Sequence, residues 1–273
     1  MAEDVAMEKN EGRLLFGGMA RWDGLDLFGP NYTSVAYRRK GEIHVKVEPS
    51  ALRNPTNPAV QRISRWPIIR SFFLWSRVFA QVFGSVWSLL FFVGTLAVLW
   101  LFVWLMQLGS GAGTFGGFFA FFAEFPILPV LLIFFAAMKF TPIGRYHGAE
   151  HKAVAAYEKY GEVTLQNARN TSRIHPRCGT NILLYIILAA LLDPLIAWWG
   201  YAILQFILIS EAWFIFGKTR PSIAVGNFLQ RHFTTTEPRR SQLEVAVEAI
   251  NRLLRAEEER EVDEAAVSVK AKY

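Results

Sequence analysis

The chain has 273 residues, 52% of them hydrophobic, and its 29 Lys+Arg against 23 Asp+Glu give a formal charge of +6. That composition excludes a disordered, collagen-like or disulfide-stapled protein, and the single cysteine, Cys178, cannot form an internal bridge. A basic balance would suit nucleic acid, but the basic residues all fall in 1–77, 139–180 and 218–273, leaving 78–138 and 181–217 with none. Those two blocks carry only Glu124, Asp193 and Glu211 as charges and are rich in Phe, Leu, Val and Trp. About 20 apolar residues span a bilayer as a helix, so the blocks point to a multi-spanning α-helical membrane protein. Membrane flanks account for the basic residues, and no nucleic-acid partner is expected.

In chain order, residues 1–11 read as a disordered N-terminus and 12–48 as a small cytoplasmic β unit. Ile43, Val45 and Val47 alternate with His44, Lys46 and Glu48, the period of a half-buried strand. Tyr32–Arg38 is its partner across Arg39-Lys40-Gly41, and Gly17-Gly18 and Gly24 mark turns. Residues 49–77 form a basic juxtamembrane segment in which Arg62, Arg65, Arg70 and Arg77 meet lipid headgroups. The polar opening stretch does not have the early apolar core of a cleavable secretory signal.

Residues 78–138 read as a transmembrane hairpin. Val78–Leu108 is the first span, Gly109–Gly113 the break and Phe115–Met138 the second span, kinked at Pro126 and Pro129. Glu124 falls near its outer end or in a protein-lined cavity. Residues 181–217 form a second hairpin turning near Trp198-Trp199-Gly200, or one span with a re-entrant piece. Basic residues flank both blocks at both ends, so the positive-inside rule places both termini in the cytoplasm, with about four spans. In the tail, 218–273, Ser241 and Glu244 form a capping box. Leu243, Val247, Ile250 and Leu254 make an amphipathic stripe that docks on the other cytoplasmic pieces, and the final dozen residues fray.

The chemistry-bearing residues lie in the cytoplasmic region 139–180. The spacing predicts a helix over Thr141–Tyr160, with Thr141 as cap, Pro142 in the first turn and Gly161 as terminator. On it stands His147-Gly148-Ala149-Glu150-His151, although Gly148 weakens the helix locally. Residues four apart share a helix face, so both imidazoles can bind one metal ion with Glu150 nearby. H-x-x-E-H is the inverted zincin pattern, in which two His hold zinc and Glu acts as base. Glu158 lies two turns beyond His151, and His175 and Cys178 follow downstream. A His/His/His/Cys or His/His/His/Glu shell is chemically reasonable, and Zn²⁺ suits both imidazole and thiolate. The bland alternatives are headgroup-level histidines and a cysteine that only packs. His44 and His232 have no such company and read as ordinary polar positions.

Two longer motifs carry a resemblance. Arg145–Lys152 through Ala156-Tyr157-Glu158, and Ser172–Thr180 with its His175-Pro176-Arg177-Cys178, resemble the signature of the YqhQ-like family of bacterial integral membrane proteins, which carries the domain of unknown function DUF1385. Gly29-Pro30-Asn31-Tyr32 and Thr235-Thr236-Glu237-Pro238 resemble its N- and C-terminal regions. The resemblance implies a multi-pass protein of the bacterial cell membrane and a metal-dependent enzyme of unstated reaction. It also implies a metal set of His147, Glu150, His151, His175 and Cys178, with Glu158 in addition. The loop after the glycine pair departs from the family pattern, with Met19, Asp23 and Gly24 followed by Leu25-Asp26-Leu27-Phe28.

The leading expectation is therefore a membrane metal-dependent enzyme, hydrolytic and zinc-loaded, with Glu150 as general base and its site at the cytoplasmic boundary. Arg145, Lys152, Arg173 and Arg177 surround the site and can hold an anionic lipid group, though they fit the positive-inside pattern equally. The alternative is a closed, structural metal site in a non-catalytic scaffold or assembly factor that binds lipids or other membrane proteins. A transporter path through Glu124, Asp193 and Glu211 is a third reading, resting on intramembrane acids alone.

Overall fold

The computed structural model describes residues 16–50, 58–82, 127–192 and 201–270, with Leu14 and isolated positions between 90 and 125. The expected disordered N-terminus, the first hairpin's turn, Glu124, Asp193 and the Trp198–Gly200 turn lie outside the described residues. The chain divides into two compact units. One comprises 1–54, 137–178 and 230–273, and the other 55–136 and 179–229.

The first unit opens with an antiparallel meander of four strands in the order β1 (Gly17–Ala20), β2 (Gly24–Phe28), β3 (Tyr32–Arg39) and β4 (Glu42–Pro49). The expected β3–β4 pair is present, with Ala36 opposite Val45 and Ser34 opposite Val47. Its turn uses Lys40 and Gly41 at φ 50° and 90°, the twist that two-residue hairpins favour. Gly17, Gly18 and Gly24 do not mark turns: they lie within β1 and β2. Gly24 is required there because a Cβ would lie 1.9 Å from the Ala36 carbonyl oxygen. Register places Gly18, Ala20, Leu25, Leu27, Ser34 and Ala36 on one face of the sheet. That face is buried against helices (Leu25, Leu27 and Ala36 are fully covered).

The helices on this face follow from the sequence's caps and stripes. Numbering them along the whole chain, α1 is Pro58–Ile63, α2 Ile69–Val82, α3 Ile127–Phe140 and α4 Pro142–Tyr160. Thr141 caps α4 by accepting the Ile143 N–H, Pro142 sits in its first turn, and Gly161 ends it at φ 79°. A short α5 (Leu165–Arg169) follows, then α6 (Leu183–Leu192), α7 (Tyr201–Phe216), α8 (Arg220–Leu229), a π turn at Gln230–Thr234 and α9 (Arg240–Lys270).

The tail helix α9 begins one residue before Ser241, so the expected capping box does not form the cap. Its buried stripe runs through Leu243, Ala246, Ile250, Leu253 and Glu257, with Val245 and Ala249 beside it, while Val247 and Leu254 are only partly covered. The wider stripe arises because α9 packs on the sheet and on α4 together. It continues through Lys270, beyond the point where fraying is expected. Glu257 anchors it: this buried carboxylate accepts the backbone N–H groups of Asn31 and Tyr32 and the Asn31 side-chain amide, at 2.8–2.9 Å.

In the second unit, α2 begins at Ile69, ahead of the expected membrane boundary at 78. Arg70 does not point to a headgroup. It donates to Glu211, which also accepts from Ser71 Oγ and the Ile68 N–H. Glu211, read from sequence as an acid without a basic partner, is therefore an ion-paired residue between α2 and α7. Among the described residues no single helix is long and apolar enough to cross a membrane. The bent pair Leu128–Phe140 and Pro142–Tyr160 passes that test together, by length and composition.

Candidate metal centre

Helix α4 carries the site because one of its faces is built from small residues. A Cβ at Gly144 would fall 1.8 Å from the Met138 carbonyl oxygen, and one at Gly148 2.4 Å from that of Thr236. The glycine that lowers helix propensity is thus what lets the segment after the π turn lie directly on α4. The Thr236 N–H donates to the Gly144 carbonyl at 2.8 Å. That path brings the Thr234 carbonyl to His147, whose Nδ1 it meets at 2.8 Å.

His151 is held in the same way, its Nδ1 lying 2.7 Å from the Arg173 carbonyl. A carbonyl only accepts, so both Nδ1 atoms carry the hydrogen and both Nε2 lone pairs are left for a ligand. Cys178 completes the group, with Sγ 3.3 Å from His147 Nε2. One ligand atom each from His147, His151 and Cys178 lies within 4.8 Å of the others, and all three residues are buried. Ligands about 2.0–2.3 Å from a shared tetrahedral ion stand roughly 3.3–3.7 Å apart, so a small contraction suffices. Burial pushes the His151 imidazole below its usual pKa, against an opposing pull from Cys178, and this favours the neutral form that binds metal.

Glu150, within reach of the His147 charge, sits beneath β1. A Cβ on Gly18 would lie 2.5 Å from its carboxyl, so a side chain there would have to push the carboxyl aside. The carboxyl is buried, and Oε2 has no hydrogen-bond partner among the described residues. Burial raises its pKa to about 7, with His147 opposing the rise. Glu150 thus brings a buried, unpartnered carboxylate oxygen to the helix that carries two of the three donors, and the His/His/Cys set fits a divalent ion such as Zn²⁺.

The other expected ligands are engaged elsewhere. His175 donates from Nε2 to Glu158 at 3.0 Å, and its Nδ1 accepts the Arg177 N–H. Its ring is 5.8 Å from that of His151. Gln230 clamps the His175 backbone through both the N–H and the carbonyl. Burial would raise the pKa of Glu158, but His175 and Arg177 outweigh that and hold it below the usual carboxylate range. Of the expected anion-binding residues, Lys152 is buried against the Arg169 and Thr171 carbonyls and Glu237. Arg173 binds Thr235, Arg231 and Glu237, and Arg177 pairs with Glu158. Arg145 is half-buried on α4. Sequence reasoning misses Thr234, Gln230 and Gly18, which act through main chain, through a distant amide or through the absence of a side chain.

Fold and site together define a protein with a buried His/His/Cys cluster, set on a glycine-faced helix beneath a small antiparallel sheet. Residues 74–256 match the family described as "Protein of unknown function (DUF1385)", and the chain belongs to that family. Over 130 residues it is 37% identical to "Uncharacterized protein YqhQ" of Bacillus subtilis (strain 168), a match covering 41% of each protein. The chain thus spans about two fifths of the length of this curated relative. No solved structure matches it.

Proposed function

We propose that this protein is a metal-dependent hydrolase of the bacterial membrane, with His147, His151 and Cys178 holding one divalent ion, zinc by donor type, at the cytoplasmic boundary of about four spans. The observation that carries this reading is the pair of backbone-fixed Nδ1 atoms, which aims two imidazole lone pairs at the space that Cys178 shares. Structural zinc sites close with four protein ligands, whereas three ligands beside an unpartnered carboxylate leave a position open for substrate.

When bound, the ion would supply Lewis acidity toward a substrate oxygen and an attacking water. Glu150 accepts the proton from that water and returns it to the leaving group, a task suited to a carboxyl poised near neutrality. Gly18 and the core beneath the sheet keep the carboxyl out of bulk water. His175, Glu158 and Arg177 buttress the loop that delivers Cys178.

Metal analysis of detergent-purified protein tests the proposal. Wild type and Glu150→Gln should carry one equivalent of zinc and His147→Ala far less. Equal metal in all three, or none in wild type, would sink the metal assignment. If Glu150→Gln lost metal or fold together with His147→Ala, the site would be structural and the hydrolase reading wrong.

A further inference from the structure

The edge of the small sheet points to a substrate class. β1 pairs with β2 on one side, and among the described residues no strand pairs with its other side. The Arg21 N–H donates to the Gly24 carbonyl, which makes those two a hydrogen-bonded pair. Antiparallel partners alternate between hydrogen-bonded and non-bonded pairs. Counting back along the register, Met19–Asp26 and Gly17–Phe28 are bonded pairs, whereas Ala20–Leu25 and Gly18–Leu27 are not. The N–H and C=O groups of Gly18 and Ala20 therefore point outward from the edge.

Gly18 has a second property. Its inner face rests on the Glu150 carboxyl, yet the residue is exposed, and what a glycine exposes is main chain. One residue thus offers a donor and an acceptor without a partner among the described residues at the sheet edge, while its inner face touches the Glu150 carboxyl. An extended chain added to that edge would run about 4.8 Å from β1, at the level of Glu150. Lipid headgroups and small anions have no use for a strand-spaced donor and acceptor, but a polypeptide backbone does.

Resting on the hydrolase reading above, we infer that the substrate is an extended polypeptide segment, bound by strand addition to the outer edge of β1 at Gly18 and Ala20 and cleaved beside Glu150. The water oxygen bonds to the scissile carbonyl carbon as a water proton passes to Glu150 Oε2. The C–N bond then breaks as that proton moves to the departing nitrogen. One fragment ends in a new carboxylic acid and the other in a new amine.

The test uses the zinc-loaded full chain in detergent and a mixed-sequence pool of internally quenched decapeptides. Wild type should cleave the pool and Glu150→Gln should not. Ala20→Pro removes one outward N–H without touching the β1–β2 ladder, as edge strands tolerate, and Met19 before it is already extended. At full zinc content it should lower kcat/KM about tenfold, the worth of one hydrogen bond plus a blocked edge. A peptide recovered as cleaved is then resynthesised with N-methyl groups on alternate residues. One parity should lose about tenfold and the other stay within about twofold, because only every second N–H faces β1. Full zinc without cleavage of the pool, or equal loss for both methylation parities, overturns the polypeptide assignment and leaves the metal assignment standing. Wild type without zinc overturns both.

Discussion

Gly148→Ala sets two physical effects against each other, and the structure decides which wins. In a helix interior the change gains about 1 kcal/mol of propensity. Here the new methyl would lie 2.4 Å from the Thr236 carbonyl oxygen, where ordinary contact begins near 3.4 Å. The segment must retreat by about 1 Å, at an overpacking cost of about 1–3 kcal/mol. That retreat stretches the 2.8 Å contact between His147 Nδ1 and Thr234 O beyond hydrogen-bond range, adding about 1 kcal/mol. The net expectation is destabilisation by about 1–3 kcal/mol, or a Tm lowered by roughly 2–10 °C. If His147 is a ligand as proposed, loss of its outer hydrogen bond should weaken zinc binding about 10- to 100-fold. Chelator competition and thermal melts of wild type and variant measure both effects. A Gly148→Ala protein that melts higher and binds zinc as tightly would refute the packing of this segment on α4.

Glu257→Ala removes the acceptor of two part-buried backbone N–H groups and should cost about 2–4 kcal/mol, whereas Glu257→Gln keeps an acceptor and should cost about 1–2; equal melting of the two variants would refute the clamp. Burial raises the Asp26 pKa despite Arg21 beside it, so the folded state holds this proton more tightly than the unfolded state does. Its ionised form then costs stability once pH exceeds the folded pKa, and the cost vanishes as pH falls below the unfolded value. Asp26→Asn should accordingly gain stability over wild type in neutral buffer and lose that gain in acid, with a pH-independent difference in Tm counting against the assignment. Arg173→Ala keeps the carbonyl that holds His151 but frees Thr235, so zinc affinity should fall less than in His147→Ala; an equal fall would place Arg173's side chain closer to the metal than its contacts allow.

Much of the site's element structure was legible in the residues. The helix over Thr141–Tyr160 followed from a cap, a first-turn proline and a terminal glycine, all local signals, and these placed His147 and His151 on one face with Glu150 nearby. The β3–β4 hairpin was equally local. Strands β1 and β2 were not, because their glycines read as turns until a partner is known. Gly24 is there for the Ala36 carbonyl and Gly18 for Glu150, neither of which is near in sequence. His175 had the right chemistry and proximity to be a ligand, but its orientation is decided by Gln230 and Glu158, at separations of 55 and 17 residues. Arg70 looked like a headgroup contact because its acceptor, Glu211, is 141 residues away.

The candidate metal centre depends on the path of the main chain more than on a roster of side chains. Thr234 and Arg173 serve the two histidines through their carbonyls, so side-chain identity at either position is secondary to where the backbone runs. For Thr234 that path is set by the close approach permitted at Gly144 and Gly148 and by the bond from the Thr236 N–H to the Gly144 carbonyl. The spacing G-x-x-H-G over Gly144–Gly148 therefore bears on the site as directly as H-x-x-E-H does. A chain with the two histidines but with bulkier residues flanking His147 would keep both imidazoles and lose the acceptor that fixes the first of them. Its Nδ1–H would have to find water, the ring could turn, and the same ligands would hold the ion less tightly.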